Sequence, residues 1–324
     1  MPAGPFSIFA KEQPSGYASR MRFFLAVACL LVGLTTSSLH AADRLDPAPR
    51  VAVISAFEPE WKVLKADVRD AKRYEVNGVE FVTGILAGRK VVLFLSGISM
   101  VNATMTTQLA LDRFNIDGIV VSGIAGGVDP SLHVGDVVVA ARWAQYLESV
   151  FARENDGKFE LPPFAKSSLP NYGMIFPRDV EVRSAKASMP EKRLWFDADA
   201  GMLAAAGKLG AVELNRCTAE QACLDAAPRL VVGGNGVSGQ AFVDNASFRT
   251  YVFDTFKARV LDMETAAIAT VAYANAVPFV AFRSLSDLAG GSHAGNEMAT
   301  FFRLASDNSA AVVRRFLAQW TPAR

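Results

Sequence analysis

The chain has 324 residues, 51% of them apolar, which is enough to bury a substantial core. Lys and Arg number 33 against 32 Asp and Glu, so no basic tract for a nucleic acid and no polybasic patch for a membrane surface stands out. Three histidines and three cysteines, with no His/Cys cluster, give a zinc centre no support, and no cofactor motif is present.

Residues 1–42 read as a signal peptide region, with Met21 an alternative start. Met21 and Arg22 precede the apolar run FFLAVACLLVGL, and small residues near Ala41 and Ala42 supply a cleavage site. The run is short for a membrane span, and an uncleaved anchor is the competing reading. A periplasmic or secreted location follows, with no stable membrane association once the signal is cleaved. Residues 43–50, with DPAPR, read as a linker, and 51–324 as one domain. Cys29 and His40 leave with the signal; Cys217, Cys223, His133 and His293 remain. In an oxidising compartment, the even pair in RCTAEQAC favours a disulfide over two free thiols.

VAVISAF, from Val51, is a continuous apolar run of the kind a strand buried on both faces requires. VEFVTGILAG and RKVVLFLSG read as two strands joined near Gly88. NATMTTQLALDRF has helical spacing, with Asn102 a candidate cap. GIVVSGIAGG is a buried strand running into glycines, and DVVVAARWAQY a further strand. From about 147 to 199 no clean period survives, and the stretch reads as a long insertion with little regular structure. DADAGMLAAAGKLG is helical, RLVVGGNGVSG strand-like, and FVDNASFRTYVFDTF a loop entering a helix. ARVLDMETAAIATVAYANA passes from a short strand into an Ala-rich helix. PFVAFRSLSD is a strand with a polar end, and FFRLASDNSAAVVRRFLAQW an amphipathic helix. The alternation predicts an α/β class: a single-domain mixed β-sheet flanked by helices.

Three acids fall at strand ends, where open α/β folds collect ligands: Glu60, Glu264 and Asp287. Each could instead serve a helix N-terminus, and Glu264, which opens a helix, is the strongest case for that role. SGIAGG, Ser122 to Gly127, is neither a Walker loop nor GxGxxG. Phe242 could stack on a base or plug the core.

Together, VAVISAFEPEW, SGISMVNATM, SGIAGGVDPSLHVGDVVVA, SGQAFVDNASF, LDMETAAIA and FRSLSDLAGGS resemble segments of 5′-methylthioadenosine/S-adenosylhomocysteine nucleosidases, in the purine nucleoside phosphorylase superfamily. The resemblance runs from about Val51 to the C-terminus and is weakest over 147–199. In GIAGGVDPSLHVGDV, the Cys217/Cys223 pair, FVDNASFR and SDLAGG followed by Asn296-Glu297, the chain is similar to the plant bark-storage-protein-like branch. That branch supports the disulfide and export, and also raises a storage role.

The resemblance implies a nucleoside phosphorylase-like, partly barrel-like fold, a purine nucleoside as substrate and a homodimer. It implies that Glu60 activates water and that Asp287, oriented by Ser286, protonates the purine. Glu264 would hold the ribose hydroxyls, with Met263 packed on the sugar. Phe242 and the Val243 backbone would meet the purine, and Ala125 and Gly126 would line the site. Arg283 is implied as a supporting residue. Phe57, Asp262 and Ile124 depart from the bacterial pattern, which often has Met, Glu and Ser or Thr at these places.

The chemistry needs these groups. Breaking an N-glycosidic bond builds positive charge on the ribose, as in glycoside hydrolysis, and electron density on the leaving base. A protonated Asp287 and an ionised Glu60 form a coherent acid/base pair. A phosphorylase would need arginines around its phosphate, and SGISMVNATM has none, so hydrolysis is favoured over phosphorolysis. A non-catalytic nucleoside-binding or storage protein is the remaining alternative.

Overall fold

The computed structural model describes residues 44–292 and 295–321. The segment expected to be a signal peptide, including Met21, Cys29 and His40, lies outside the described residues, as does His293.

The first strand, β1 (Asp46–Ser55), continues into helix α1 (Glu58–Lys65) and a meander of β2 (Arg69–Val76), β3 (Val79–Leu86) and β4 (Arg89–Leu95). Helix α2 (Met100–Arg113) leads into β5 (Phe114–Gly127), then β6 (Val137–Val139) and β7 (Arg142–Gln145). Seven three-residue strands follow: β8 (Ser149–Phe151), β9 (Arg153–Asn155), β10 (Lys158–Glu160), β11 (Ile175–Pro177), β12 (Val180–Val182), β13 (Glu191–Arg193) and β14 (Trp195–Asp197). The chain ends through α3 (Ala200–Gly207), β15 (Leu230–Val232), β16 (Asn235–Ser238), α4 (Ala246–Phe256), β17 (Ala258–Asp262), α5 (Thr265–Ala274), β18 (Phe279–Asp287) and α6 (Met298–Gln319).

β1 lies between β4 and β5, parallel to both, so its apolar run is covered on both faces. Ala52 and Ile54 pack with α2 and α5, whereas Val51 and Val53 pack with α1, α3 and α6. One sheet between two helical layers is the result. α6 presents an apolar stripe of Val312, Val313, Phe316 and Leu317 to this core and keeps its charges outward.

The sheet forks at β5. On one side β18 runs parallel to it and carries β6 and β15; on the other, β17 pairs with its last residues and carries β16, β7 and β14. The two branches are joined because β6 continues into β7 and β15 into β16, so the sheet turns back on itself. DVVVAARWAQY and RLVVGGNGVSG, each expected as one strand, are therefore two strands apiece. The second break falls at Gly233 and Gly234, with φ of 94° and 78°, a backbone turn that glycine makes without a Cβ clash.

Three other expectations change. The linker at 43–50 is strand from Asp46 onward, where Asp46 aligns with Phe114 and the Arg50 guanidinium bonds the Asp46 carboxylate at 2.6 Å. The prolines fit because the register is irregular there. The stretch 147–199 holds the seven short strands, and β14 joins the main sheet against β7. Asn102 is not a cap: α2 starts at Met100 with Ser99 at the cap position, and Asn102 Nδ2 donates to the Ile98 carbonyl at 2.8 Å. Cys217 and Cys223 form a disulfide.

Candidate active site

Glu60 sits in the first turn of α1 and is 2% exposed. Its Oε2 accepts from the backbone N–H of Ala56 and Phe57, both at 3.0 Å, and its Oε1 from that of Ile124 at 2.8 Å. Three amide donors thus hold one carboxylate, which fixes its rotamer and favours its charged form. Burial pushes this carboxyl up from the ordinary range, opposed by the Arg283 guanidinium and the three N–H groups.

Glu264 occupies the cap position of α5, yet its side chain makes no cap bond. Asp262 does the capping, its Oδ1 accepting from the N–H of Glu264 at 3.2 Å and of Thr265 at 3.1 Å. The Glu264 carboxylate is thereby left to the pocket. Its Oε1 accepts from Ser99 N–H at 2.8 Å and its Oε2 lies 3.4 Å from Arg283 Nη2. Burial first, then Asp262 and Glu60, push it up to about 7, against the pull of Arg283 and the Ser99 N–H.

Asp287 ends β18, a strand buried along its whole length. Ser286 Oγ donates to its Oδ2 at 2.9 Å and Ala289 N–H to its Oδ1 at 2.8 Å. Burial raises this carboxyl, with a smaller push from Asp244. Gly126 allows the approach: a Cβ there would stand 3.2 Å from Asp287 Oδ1.

The three acids open on one pocket with about 160 Å³ of space accessible to water. Its walls include every site residue expected from the sequence: Glu60, Ala125, Gly126, Phe242, Val243, Met263, Glu264, Ser286 and Asp287. Phe242 is 57% exposed at its edge, so it does not plug the core. Phe57, noted in the sequence only as a departure from the bacterial pattern, adds an apolar wall together with Ile98 and Met298, which the sequence did not single out. Also underweighted was Arg283, fully buried behind the acids. Its Nε lies 2.7 Å from Asp262 Oδ2 and 2.9 Å from Thr265 Oγ1, and it does not line the pocket. The available signal was an arginine directly after the apolar run FVAF, inside a strand. Among the described residues, no group of His, Cys, Asp and Glu is placed to hold a metal ion.

Such a pocket can place a protonated carboxyl on one side of a bound ring system and an ionised one on the other. The apolar walls raise the worth of each charge.

Residues 50–318 match the family described as the phosphorylase superfamily. A 5′-methylthioadenosine/S-adenosylhomocysteine nucleosidase of Bacillus cereus (strain B4264) is 31% identical over 243 residues, covering 74% of this chain and 87% of that protein. The nucleosidase of the same description from Neisseria meningitidis, solved with methylthio-immucillin-A, superposes with a TM-score of 0.62 at 26% identity, over 84% of this chain and 99% of that one. That from Colwellia psychrerythraea 34H, solved with adenine, gives 0.63 at 29% identity, over 83% and 95%. With the mixed sheet, the buried acids and these likenesses together, the chain belongs to the phosphorylase superfamily, among its nucleosidases.

Proposed function

We propose that this chain hydrolyses the N-glycosidic bond of a purine nucleoside such as 5′-methylthioadenosine, S-adenosylhomocysteine or adenosine, releasing the base. One observation carries the reading. Glu60, Glu264 and Asp287 converge on a single pocket, while the guanidinium buried beside them is turned to Asp262 and Glu264 instead of to the pocket. A phosphate there would meet carboxylates; a water would meet a base.

Asp287, whose burial favours its protonated form, gives its proton to the purine ring nitrogen as the bond to C1′ breaks. Positive charge grows on the ribose, and Glu264, bonded to the ribose hydroxyls, stabilises it. Glu60 takes a proton from water, and the water oxygen bonds C1′. Base and free sugar leave, with no other reactant. Phe242 stacks on the purine, the Val243 backbone meets its edge, and Met263 packs on the sugar.

The exported location rests on the N-terminal pattern, and the Cys217–Cys223 disulfide supports it. Among the described residues no helix is long and apolar enough to cross a membrane. A homodimer is proposed from the family resemblance, supported by exposed Ile98, which lines the pocket, and by exposed Val101 and Met105 on α2.

The test is base release by the purified protein from methylthioadenosine, adenosine and inosine, with and without phosphate. Hydrolysis gives free sugar without phosphate, and E60Q and D287N each lower kcat about 100-fold or more. Sugar phosphate formed only with phosphate would make the chain a phosphorylase. No release from any nucleoside would leave a binding or storage protein.

A further inference from the structure

Asp262 has no part in the mechanism above, yet it is the most heavily bonded carboxylate near the pocket. It is 5% exposed at the end of β17. Its Oδ1 accepts from Ser238 Oγ at 2.5 Å and from the N–H groups of Glu264 and Thr265. Its Oδ2 accepts from Thr265 Oγ1 and pairs with Arg283 Nε at 2.7 Å. Ser238 is fixed in turn, since its Oγ accepts from Ala266 N–H at 2.8 Å.

This network sets where Arg283 points. With Nε bound to Asp262 and Thr265, Nη2 lies 3.4 Å from Glu264 Oε2. Nη1 is buried without a hydrogen-bond partner. It faces the gap over Gly123, where an added Cβ would stand 2.1 Å from it and 2.8 Å from Glu60 Oε1. One guanidinium therefore lies against both acids assigned to water and ribose. Left uncompensated, a cation there would hold both firmly ionised and make Glu60 a weak base.

We propose that Asp262 is a positioning residue for the hydrolysis: it locks the Arg283 guanidinium and offsets its charge, so that Glu60 and Glu264 stay basic enough for their roles. The proposal rests on the nucleosidase reading. It assigns to a capping residue an electrostatic task, exerted through Arg283 without contact with the reacting atoms. The charged groups facing Glu60 and Glu264 are Arg283 from β18 and Asp262 from β17, and the two acids face each other. On α6, which packs against α1, Arg303, Asp307 and Arg314 form a separate set, Arg314 pairing with Asp67 at 2.8 Å.

The experiment is the pH dependence of kcat/KM for wild type, D262N and D262E, with thermal unfolding of each. Wild-type release without phosphate, lost in E60Q, first establishes the reading on which the proposal stands; if that fails, the failure belongs to the reading. D262N removes the charge at constant size. Its acidic limb moves to lower pH by about one unit and its kcat falls about tenfold, while D262E returns the limb toward wild type. A folded D262N with an unmoved limb overturns the proposal, because a purely structural cap would change stability and leave the limb in place. Should D262N not fold, D262N/R283M is compared with R283M. Both limbs coincide there, because the effect passes through Arg283, and a displaced limb overturns the proposal. With Arg283 intact, D262S, which keeps a capping oxygen without the charge, shows the lowered limb, and an unmoved limb in folded D262S overturns it.

Discussion

At the scale of single residues, the site is a division of labour among acids close in sequence. Asp262 takes the helix-capping task, which frees Glu264, two residues on, to face the pocket. Sequence alone could not separate these roles, because either carboxylate can cap α5 and only backbone geometry decides which one does. Glu60 and Asp287 were legible as acids at the ends of apolar runs. The three amide donors on Glu60 were not, since two come from its own turn and the third from Ile124, far along the chain. The opposed needs of the pair predict a bell-shaped profile for kcat/KM. The acidic limb reflects protonation of Glu60 and Glu264, both pushed up by burial, and the alkaline limb the loss of the Asp287 proton. E60Q should leave an acidic limb set by Glu264 alone, and D287N should remove the alkaline limb; an unmoved acidic limb in E60Q or a retained alkaline limb in D287N would overturn the assignments.

At the scale of elements, the glycines at the end of β5 matter for the space they leave. Gly123 sits where Arg283 and Glu60 come together, and an alanine Cβ would overlap the guanidinium. Arg283 is locked at Nε and cannot retreat, so G123A should cost about 1–3 kcal/mol of stability and lower kcat at least about tenfold. Denaturant unfolding and single-turnover kinetics check the two effects, and an unchanged variant would mean that Arg283 is mobile. The strands of β1, β3, β4, β5 and β18 were legible because apolar runs and paired turns mark them. β2 was not singled out: it is an edge strand whose residues are mostly charged and exposed. The break between β6 and β7 was hidden because Ala140 and Ala141 continue the apolar run, whereas Gly233 and Gly234 between β15 and β16 were a turn signal left unused; the cause of both breaks is the forked sheet, which no local pattern records.

At the scale of the whole molecule, three buried carboxyls with raised proton affinity should shape its stability. Glu60, Glu264 and Asp287 keep protons in the folded chain at pH values where the unfolded chain has released them. Their contribution is fully present on the acid side and is lost as pH rises through the folded values, for Glu264 between 4.5 and about 7. The free energy of unfolding should therefore fall as pH rises from about 4.5 to about 7, by roughly 3 kcal/mol from Glu264. Chemical denaturation at several pH values measures it; a flat or rising curve would show the acids already ionised in the fold.

The fork at β5 also has a consequence for the timing of folding. Ser122 Oγ lies 3.0 Å from Ser309 Oγ, 187 residues further on, and Asp287 and Met298 reach the pocket from the last strand and last helix. Contacts of such sequence separation form late, because a long loop must close before they yield any stabilisation. During synthesis, the N-terminal strands can pair while the pocket still lacks one wall. A ribosome-bound chain stalled before β18 should be catalytically silent, and activity should arrive only when α6 emerges and docks.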